Sequence, residues 1–465
     1  MAEHRDFKPT PGSPPCAPAG DDAGNVLIIS YLFPPTGGGG VQRALKMVQH
    51  LPRFGWTPYV LTVEPKDPAL TSDPGLLRDL PGEATVHRAP ESPLLQRAFS
   101  RARASTRPAN QAGEPTPSRL RTHLRRAMRT LRDAYLVPDE QVIWLRRAVA
   151  EGMRIIREHS VNALFSTSGP NTNHLVGLEL KRKTGIPWVA DFRDPWVGNM
   201  HFSALPEGRR RREERMEQRV VTSADHLTSV TRAFCEAFAS RYLSESPPIS
   251  LVYNGFDAAD YEDLGETGSD DTFTLAYAGI LYPGRSPESI LRAIGQLIDE
   301  GRIPRREVRL VFAGIFDYPG SDHNRQLVED LYLEDVVSTP GHLPHADALS
   351  LMASASALML VGDSAPGAGD YIPGKIYEYL ALGKPVVGTQ HRGEAQEILE
   401  STGRAYLATP GDVATVRAHL LQLYEQHKEG ILTASPAGIP DIYHRGYQAG
   451  QLVHLLNLLS VQEDL

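Results

Sequence analysis

The chain has 465 residues, too many for one ordinary core, so two domains of about 200 residues each are expected. A formal net charge of −8, with 41% hydrophobic and 22% charged residues, is that of an ordinary globular protein and argues against general nucleic-acid binding. Two cysteines, Cys16 and Cys235, are too far apart for a disulfide framework or a zinc site and fit a reducing cytoplasm. No run of about 18 apolar residues occurs, so no transmembrane helix is expected, and the N-terminus lacks the apolar core of a secretory signal. Residues 1–24 are rich in Pro, Gly and Asp and are expected to be a disordered tail.

Val26 to Ser30 is a short apolar strand, Gly37 to Gly40 a tight loop, Val41 to Leu51 a helix, and Tyr59 to Val63 the next strand. This βαβ opening with a glycine-rich first turn is that of a doubly wound fold, although the four glycines lack dinucleotide-fingerprint spacing. The loop reads either as a ligand-approaching turn or as a merely mobile one. From Arg97 to Arg132 there are ten arginines, no lysine and one acid, Glu114. From Arg119 the apolar positions Leu120, Leu124, Met128 and Leu131 share a helical face. Such a basic amphipathic helix lies either on an anionic membrane surface or on its own domain with solvated arginines.

Gln141–Glu158 reads as a helix, Ala163–Ser166 as a strand, and Thr172–Thr184 as a helix with His174 near its start. Trp188–Asp191 is a strand that runs into a polar, aromatic loop, so Asp191, Arg193 and Asp194 fall just past a strand carboxyl end, where open α/β sheets bind ligands. The alternative is an internal Asp–Arg pair that braces the loop. A lone His174 is more often structural. Arg209–Arg212 with Glu213 and Glu214 reads as a charged, solvated helix start. His226–Val230 is a strand, Ala233–Tyr242 a helix, Ser250–Tyr253 a strand, and the acidic stretch 257–272 an interdomain linker.

A second α/β series follows: strands at Phe273–Ala278, Val308–Ala313, Val336–Pro340, Ala357–Val361 and Pro385–Gly388, with helices at Pro287–Glu300, Asn324–Leu331, Ala346–Ala355, Glu394–Ser401 and Val413–Gln426. Several of its strands end at glycine (Gly279, Gly314, Gly341), where a backbone can approach a ligand. Tyr443–Leu459 is a long amphipathic terminal helix.

The stretch Gly367–Val387 carries the most chemistry. A helix opens there at Pro373-Gly374-Lys375, and its free N–H groups suit a phosphate. Two acids, Asp370 and Glu378, bracket this start. Carboxylates beside a phosphate make sense if they hold neutral groups such as sugar hydroxyls, which points to a nucleotide-sugar site.

The motifs YLFPPTGGGGVQR, ADFRDPW, NGFD, YAGILYPGRSPESILRAI and PGKIYEYLALGKPVV, in this order, resemble the family 4 glycosyltransferases of the GT-B fold, from about Asn25 over nearly the whole chain. The resemblance implies two Rossmann-like domains that face a central cleft: an acceptor-side domain over 25–256, a nucleotide-sugar domain over 257–440, and a helix over 441–465 that crosses back. It implies retaining transfer of a sugar from a UDP- or GDP-sugar, without a metal ion or other cofactor. The family's E-x7-E motif falls on Asp370, for donor-sugar hydroxyls, and Glu378, for the ribose. Backbone N–H groups of Gly374 and Lys375 would meet the diphosphate. The family's paired Arg and Lys fall on Ile280 and Arg285, so one cation is missing, and the sequence leaves open whether Lys375 or another basic residue replaces it. Gly341, His342 and Leu343 match the base-contacting segment, Gly279 lies at the donor, and Gly38 and Gly39 would approach the diphosphate from the first domain. Asp191, Arg193, Asp194 and His174 are the acceptor-side candidates.

The expected activity is therefore sugar transfer to a sugar or lipid-linked acceptor in envelope polysaccharide or glycolipid assembly. The protein would be cytoplasmic, either free or peripheral at the inner face of a membrane through the Arg-rich segment. Competing readings are an epimerase or hydrolase of nucleotide-sugars on the same fold, and a non-catalytic sugar-nucleotide-binding subunit.

Overall fold

The computed structural model of the protein describes residues 24–65, 73–92, 136–200, 202–242, 246–262, 264, 271–432, 434 and 438–461. It divides into two compact units: Met1–Val252 with Gly446–Leu465, and Tyr253–Arg445.

The first unit holds a seven-stranded, wholly parallel sheet made of β1 (Gly24–Ile29), β2 (Trp56–Val63), β3 (Thr85–Ala89), β4 (Ala163–Thr167), β5 (Trp188–Phe192), β6 (His226–Ser229) and β7 (Ile249–Leu251). Its spatial order is β3-β2-β1-β4-β5-β6-β7. The helices are α1 (Gly39–His50), α2 (Leu145–His159), α3 (Thr172–Thr184), α4 (Glu207–Ser223), α5 (Arg232–Tyr242) and, in sequence last, α12 (Arg445–Val461). The central strands read as unbroken apolar runs because both faces are covered. On β1, Leu27 and Ile29 pack with Leu61, Leu164 and the α2–α3 residues Ile155, Val176 and Leu180. Val26 and Ile28, one residue out of phase, pack with Val60, Phe165, the α1 residues Val41, Leu45 and Val48, and Leu452, Val453 and Leu456 of α12. Trp56 Nε1 donates to Asn457 Oδ1 at 2.8 Å, which fixes α12 beside β2.

The second unit holds a six-stranded parallel sheet of β8 (Phe273–Ile280), β9 (Val308–Ile315), β10 (Val337–Gly341), β11 (Ala357–Val361), β12 (Val386–Thr389) and β13 (Ala405–Ala408), ordered β10-β9-β8-β11-β12-β13. Its helices are α6 (Glu288–Asp299), α7 (His323–Asp330), α8 (His345–Ser354), α9 (Lys375–Leu382), α10 (Glu394–Glu400) and α11 (Val413–Lys428). Phe273, Leu275 and Tyr277 of β8 pack with Leu310, Phe312, Met359 and Val387 under Ile294 and Leu297 of α6 and Leu420 and Leu423 of α11.

Several expectations need correction. Gly24 does not belong to a disordered tail: it opens β1, and a Cβ there would lie 2.7 Å from the Trp56 ring. The rest of that tail, and the Arg-rich stretch 97–132, lie outside the described residues. Gly39 and Gly40 are not loop residues but the first turn of α1. The helix expected over Gln141–Glu158 begins as a 3-10 turn at Glu140–Trp144 before α2. Strands β3 and β13 were not foreseen. Both are partly buried edge strands: β3 (TVHRA) lacks the apolar run that marks a buried strand, and β13 (AYLA) has one of only four residues. The charged start of α4 is solvated at Arg211, Arg212 and Glu214 but not at Glu213, which is buried, as is Glu217 one turn on. No described helix is long and apolar enough to cross a membrane.

Gly388, in β12, has φ +149°, and a Cβ there would lie 1.9 Å from the Leu360 carbonyl oxygen. Gly388→Ala is expected to destabilise the second unit by about 2–5 kcal/mol, from backbone strain plus overpacking, read as a lower urea midpoint for its unfolding.

Candidate active site

Each parallel sheet reverses its winding at one place, between β1 and β4 in the first unit and between β8 and β11 in the second. Loops from the two neighbouring strands then diverge at their carboxyl ends and leave a crevice, the usual ligand position in such sheets. The candidate residues gather at these two places.

In the second unit, β8 ends at Gly279-Ile280 and turns through Tyr282–Arg285, where Arg285 N donates to Tyr282 O at 2.9 Å. Gly284 takes φ +94°, and a Cβ there would lie 2.7 Å from Asp363 Oδ1 in the loop after β11. Ser364 N donates to Gly284 O at 3.0 Å, so the loops that follow β8 and β11 are joined by their backbones. Asp363 Oδ2 lies 3.8 Å from Arg285 Nε. That nitrogen is buried and has no hydrogen-bond partner among the described residues.

The chain leaves β11, makes a 3-10 turn at Ala368–Asp370, and enters α9 at Lys375 with Gly374 as its N-cap. Gly374 has ordinary helical φ and ψ, and a Cβ there would meet nothing within 4 Å. What the site gains from this residue is therefore open space over the helix start, not an unusual backbone conformation. The first-turn N–H groups of a helix have no intrahelical acceptor and suit an anion.

Lys375 turns its side chain inward. Its ammonium is buried, lies 3.3 Å from the centroid of the Tyr277 ring, and has no hydrogen-bond partner among the described residues. A Cβ on Gly279 (φ +139°) would lie 3.2 Å from Lys375 Nζ. Burial, then the positive charge of Arg285, holds the amine well below the ordinary lysine range, while Glu378 pulls the other way. An unpaired buried charge costs several kcal/mol, more than the ~2 kcal/mol a desolvated cation–π contact returns.

Glu378, one turn further along α9, is half-buried, with His345 Nε2 at 3.4 Å from its Oε1. Asp370 is exposed, and no described residue bonds its carboxylate. Gly341 ends β10 with φ +82°, followed by exposed His342 and half-buried Leu343. The structure thus brings Gly279, Arg285, Lys375 and Glu378 together, while Gly341 ends the edge strand β10 and His342 and Leu343 lie in the loop that leads to His345 beside Glu378. Sequence reasoning missed Asp363, His345 and Tyr277. Asp363 could have been found as an acid just past a strand end; the other two carry no sequence signal.

In the first unit, Gly38 takes φ +98° and, with Gly39, is exposed in open space. Arg193 Nη1 donates to Gly40 O at 2.7 Å, and a Cβ on Gly169 would lie 2.4 Å from Arg193 Nη2, so the guanidinium is seated between the first turn of α1 and the loop after β4. Asp194 is half exposed.

Asp191 is a different case and corrects the acceptor-side assignment. It is fully buried and ion-paired with Arg43, whose Nη2 and Nε donate at 2.7 and 2.8 Å, and it also accepts from Thr167 Oγ1 (2.6 Å) and Thr228 Oγ1 (2.7 Å). Burial alone would raise its pKa, but the Arg43 charge and these hydrogen bonds outweigh it and hold the carboxyl below its usual range. With both oxygens engaged, this group ties α1 to β4, β5 and β6 and has nothing left to offer an acceptor. His174 is also internal: its Nδ1 lies 2.9 Å from Ser166 Oγ, its ring packs on Phe192, and burial pushes its pKa down to about 3.

The aromatic loop after β5 is clamped from α4. Trp196 Nε1 donates to Glu213 Oε2 at 2.9 Å, and Val197 N donates to Glu217 Oε2 at 2.7 Å. Glu217 also accepts from Tyr242 Oη (2.5 Å) and Arg241 Nη1 (3.0 Å). The i, i+4 spacing puts both carboxylates on one helix face, a pattern that the mixed charge of α4 concealed.

Two outcomes follow for the first unit. Arg43→Met leaves the Asp191 carboxylate buried and unpaired and is expected to cost about 3–5 kcal/mol, measured by chemical denaturation. Because His174 binds its proton more weakly when folded, the unfolded chain holds more protons between pH 6.5 and about 3. Its contribution is complete above pH 6.5 and is lost as pH falls, by up to about 1.4 kcal/mol per pH unit. His174→Gln should flatten that slope in acid-denaturation curves.

Comparison with known proteins agrees with this architecture. The family model described as Glycosyltransferase Family 4 matches residues 37–260, and that described as Glycosyl transferases group 1 matches residues 272–426. The chain is 25% identical over 287 residues to a D-inositol 3-phosphate glycosyltransferase of Paenarthrobacter aurescens, a match that spans 59% of this chain and 68% of the relative. Among solved structures, Anabaena HepE in complex with UDP and glucose aligns with a TM-score of 0.61 at 16% identity, over 94% of this chain and all of that one. Sucrose-phosphate synthase of Thermosynechococcus elongatus aligns with a TM-score of 0.56 at 16% identity, over 95% of this chain and 97% of that one. Its two parallel α/β sheets, and family models that between them match both units, show that this chain belongs to the family 4 glycosyltransferases of the GT-B fold.

Proposed function

We propose that this glycosyltransferase retains the donor's anomeric configuration and takes its sugar from a nucleoside-diphosphate sugar, such as a UDP- or GDP-sugar, held by the second unit without a metal ion. The single observation that carries the reading is the pairing of cationic groups with an open helix start at the β8/β11 crevice. Arg285 and the start of α9 bracket a space suited to a diphosphate, while Glu378 lies one turn further along the helix.

In this reading the bond between the sugar C1 and the diphosphate oxygen breaks, and its electron pair stays on the diphosphate. The acceptor oxygen forms the new bond to C1 on the same face, and its proton passes to the departing phosphate. Charge develops on the diphosphate, so preorganised donors aimed at it supply the main electrostatic stabilisation. Arg285 and the N–H groups of Gly374 and Lys375 have that role. Glu378 accepts from the ribose and Asp370 from the sugar hydroxyls, and the exposure of Asp370 leaves its carboxylate available. Gly341, His342 and Leu343 serve the base. The acceptor end is carried by the first unit, where Arg193 and Asp194 replace Asp191 as the accessible polar groups.

The acceptor class follows from the ten arginines between Arg97 and Arg132, which suit an anionic or lipid-linked sugar of envelope polysaccharide or glycolipid assembly at the inner face of a membrane. A UDP- or GDP-sugar that raises the melting temperature identifies the donor; a hundredfold excess over its dissociation constant adds roughly 2.7 kcal/mol of apparent stability. With that donor, Glu378→Ala and Arg285→Ala should each lower turnover by about a hundredfold or more, and unchanged turnover in both rejects this site. The full chain should co-sediment with anionic vesicles at low salt, and absence of binding there rejects the membrane position.

A further inference from the structure

The family resemblance leaves the second unit one cation short, because Ile280 stands where a basic residue is expected. We infer that the Lys375 side chain is the missing second cation, reaching the donor's diphosphate at the carboxyl end of β8 from the start of α9. This rests on the donor reading above and says how its charge is met.

Strand alternation puts Tyr277 and Gly279 on one face of β8, and Ile280, at the strand's end, carries no charge to offer. Lys375 enters that face from α9. Its ammonium lies over the Tyr277 ring, at the space that the missing Gly279 side chain leaves open. The groups that face it are Tyr277 and Gly279 from β8, Arg285 from the following loop, and Glu378 from its own helix. None gives it a hydrogen bond or an ion pair among the described residues.

A stable fold has little reason to bury an ammonium in this way. Arg285 alongside makes matters worse, since two like charges share one crevice. A diphosphate resolves both problems at once: its oxygens pair the ammonium and neutralise the repulsion. The depressed basicity of the free amine fits a group whose counter-charge arrives with the ligand. The helix start supplies N–H groups to the same anion, and the buried side chain belongs to the first residue of that helix, so backbone and side chain converge on one phosphate.

The test is calorimetric titration of the full chain and K375M with UDP and GDP, alongside uridine and guanosine. Met fills the lysine volume without charge, so K375M should fold and melt at or above the wild-type temperature without ligand. Its affinity for the nucleoside diphosphate that binds the wild type should fall about tenfold to a hundredfold, with affinity for the matching nucleoside unchanged. Retained nucleoside binding also shows that the variant is folded. A K375M affinity for the diphosphate within twofold of wild type overturns this assignment alone. A wild type that binds neither UDP nor GDP overturns the donor reading and this assignment with it.

Discussion

The structure turns on how each unit treats positive charge at the reversal point of its sheet. In the first unit, Arg43 is matched by Asp191, and Thr167 and Thr228 complete the carboxylate's hydrogen bonds. The pair is closed, and it holds α1 and three strands, β4, β5 and β6, in place. In the second unit, Lys375 and Arg285 stand close together, with Asp363 at 3.8 Å from Arg285 and Glu378 on the lysine's own helix as the acids beside them. That charge is left uncompensated where glycines and an open helix start clear space beside it. A closed pair stabilises a fold; an open one is a binding site in waiting.

The scaffold explains why the two outcomes differ. Parallel strands bury their apolar runs on both faces, so polar chemistry is displaced to the strand carboxyl ends. Asp191 lies within β5 and is covered from every side, whereas Arg285 and Lys375 belong to the loop and helix that follow β8 and β11. Glycine acts differently at different points of the second unit. At Gly279 and Gly284 it takes positive φ and admits a neighbouring side chain, Lys375 in one case and Asp363 in the other. At Gly374 it simply leaves room. In the first unit, Glu213 and Glu217 hold the Trp196–Val197 loop rigid, which fixes Arg193 and Asp194 on their scaffold.

Much of this was legible in the sequence, and the failures share causes. Buried strands announced themselves through apolar runs such as VLII and ALMLV, and α3 and β11 were placed to the residue. Edge strands β3 and β13 did not: β3 (TVHRA) is largely polar, and the apolar run of β13 (AYLA) is only four residues long. The candidate donor residues, Asp370 and Glu378 above all, come from the motif that the family resemblance lays on this stretch. What spacing could not show was the direction of side chains. Lys375 was read for its backbone and as one of several residues that could replace the missing cation; the inward turn of its ammonium is what the sequence does not show. Asp191 was read as accessible because it precedes a loop, but its partner Arg43 is 148 residues away in sequence, on a helix where an arginine looks like surface. The same blindness made Glu213 look solvated and left Glu217 unremarked, since burial of a charge depends on partners that only the fold assembles.

The central claim is that the β8/β11 crevice receives the donor's diphosphate. A crystal structure of the chain with the nucleoside diphosphate that stabilises it tests this most directly. The account predicts the distal phosphate within hydrogen-bond reach of the Gly374 and Lys375 backbone nitrogens, with the Arg285 guanidinium and the Lys375 ammonium beside it. A phosphate seated elsewhere, at the β12 and β13 ends or in the first unit alone, would contradict it.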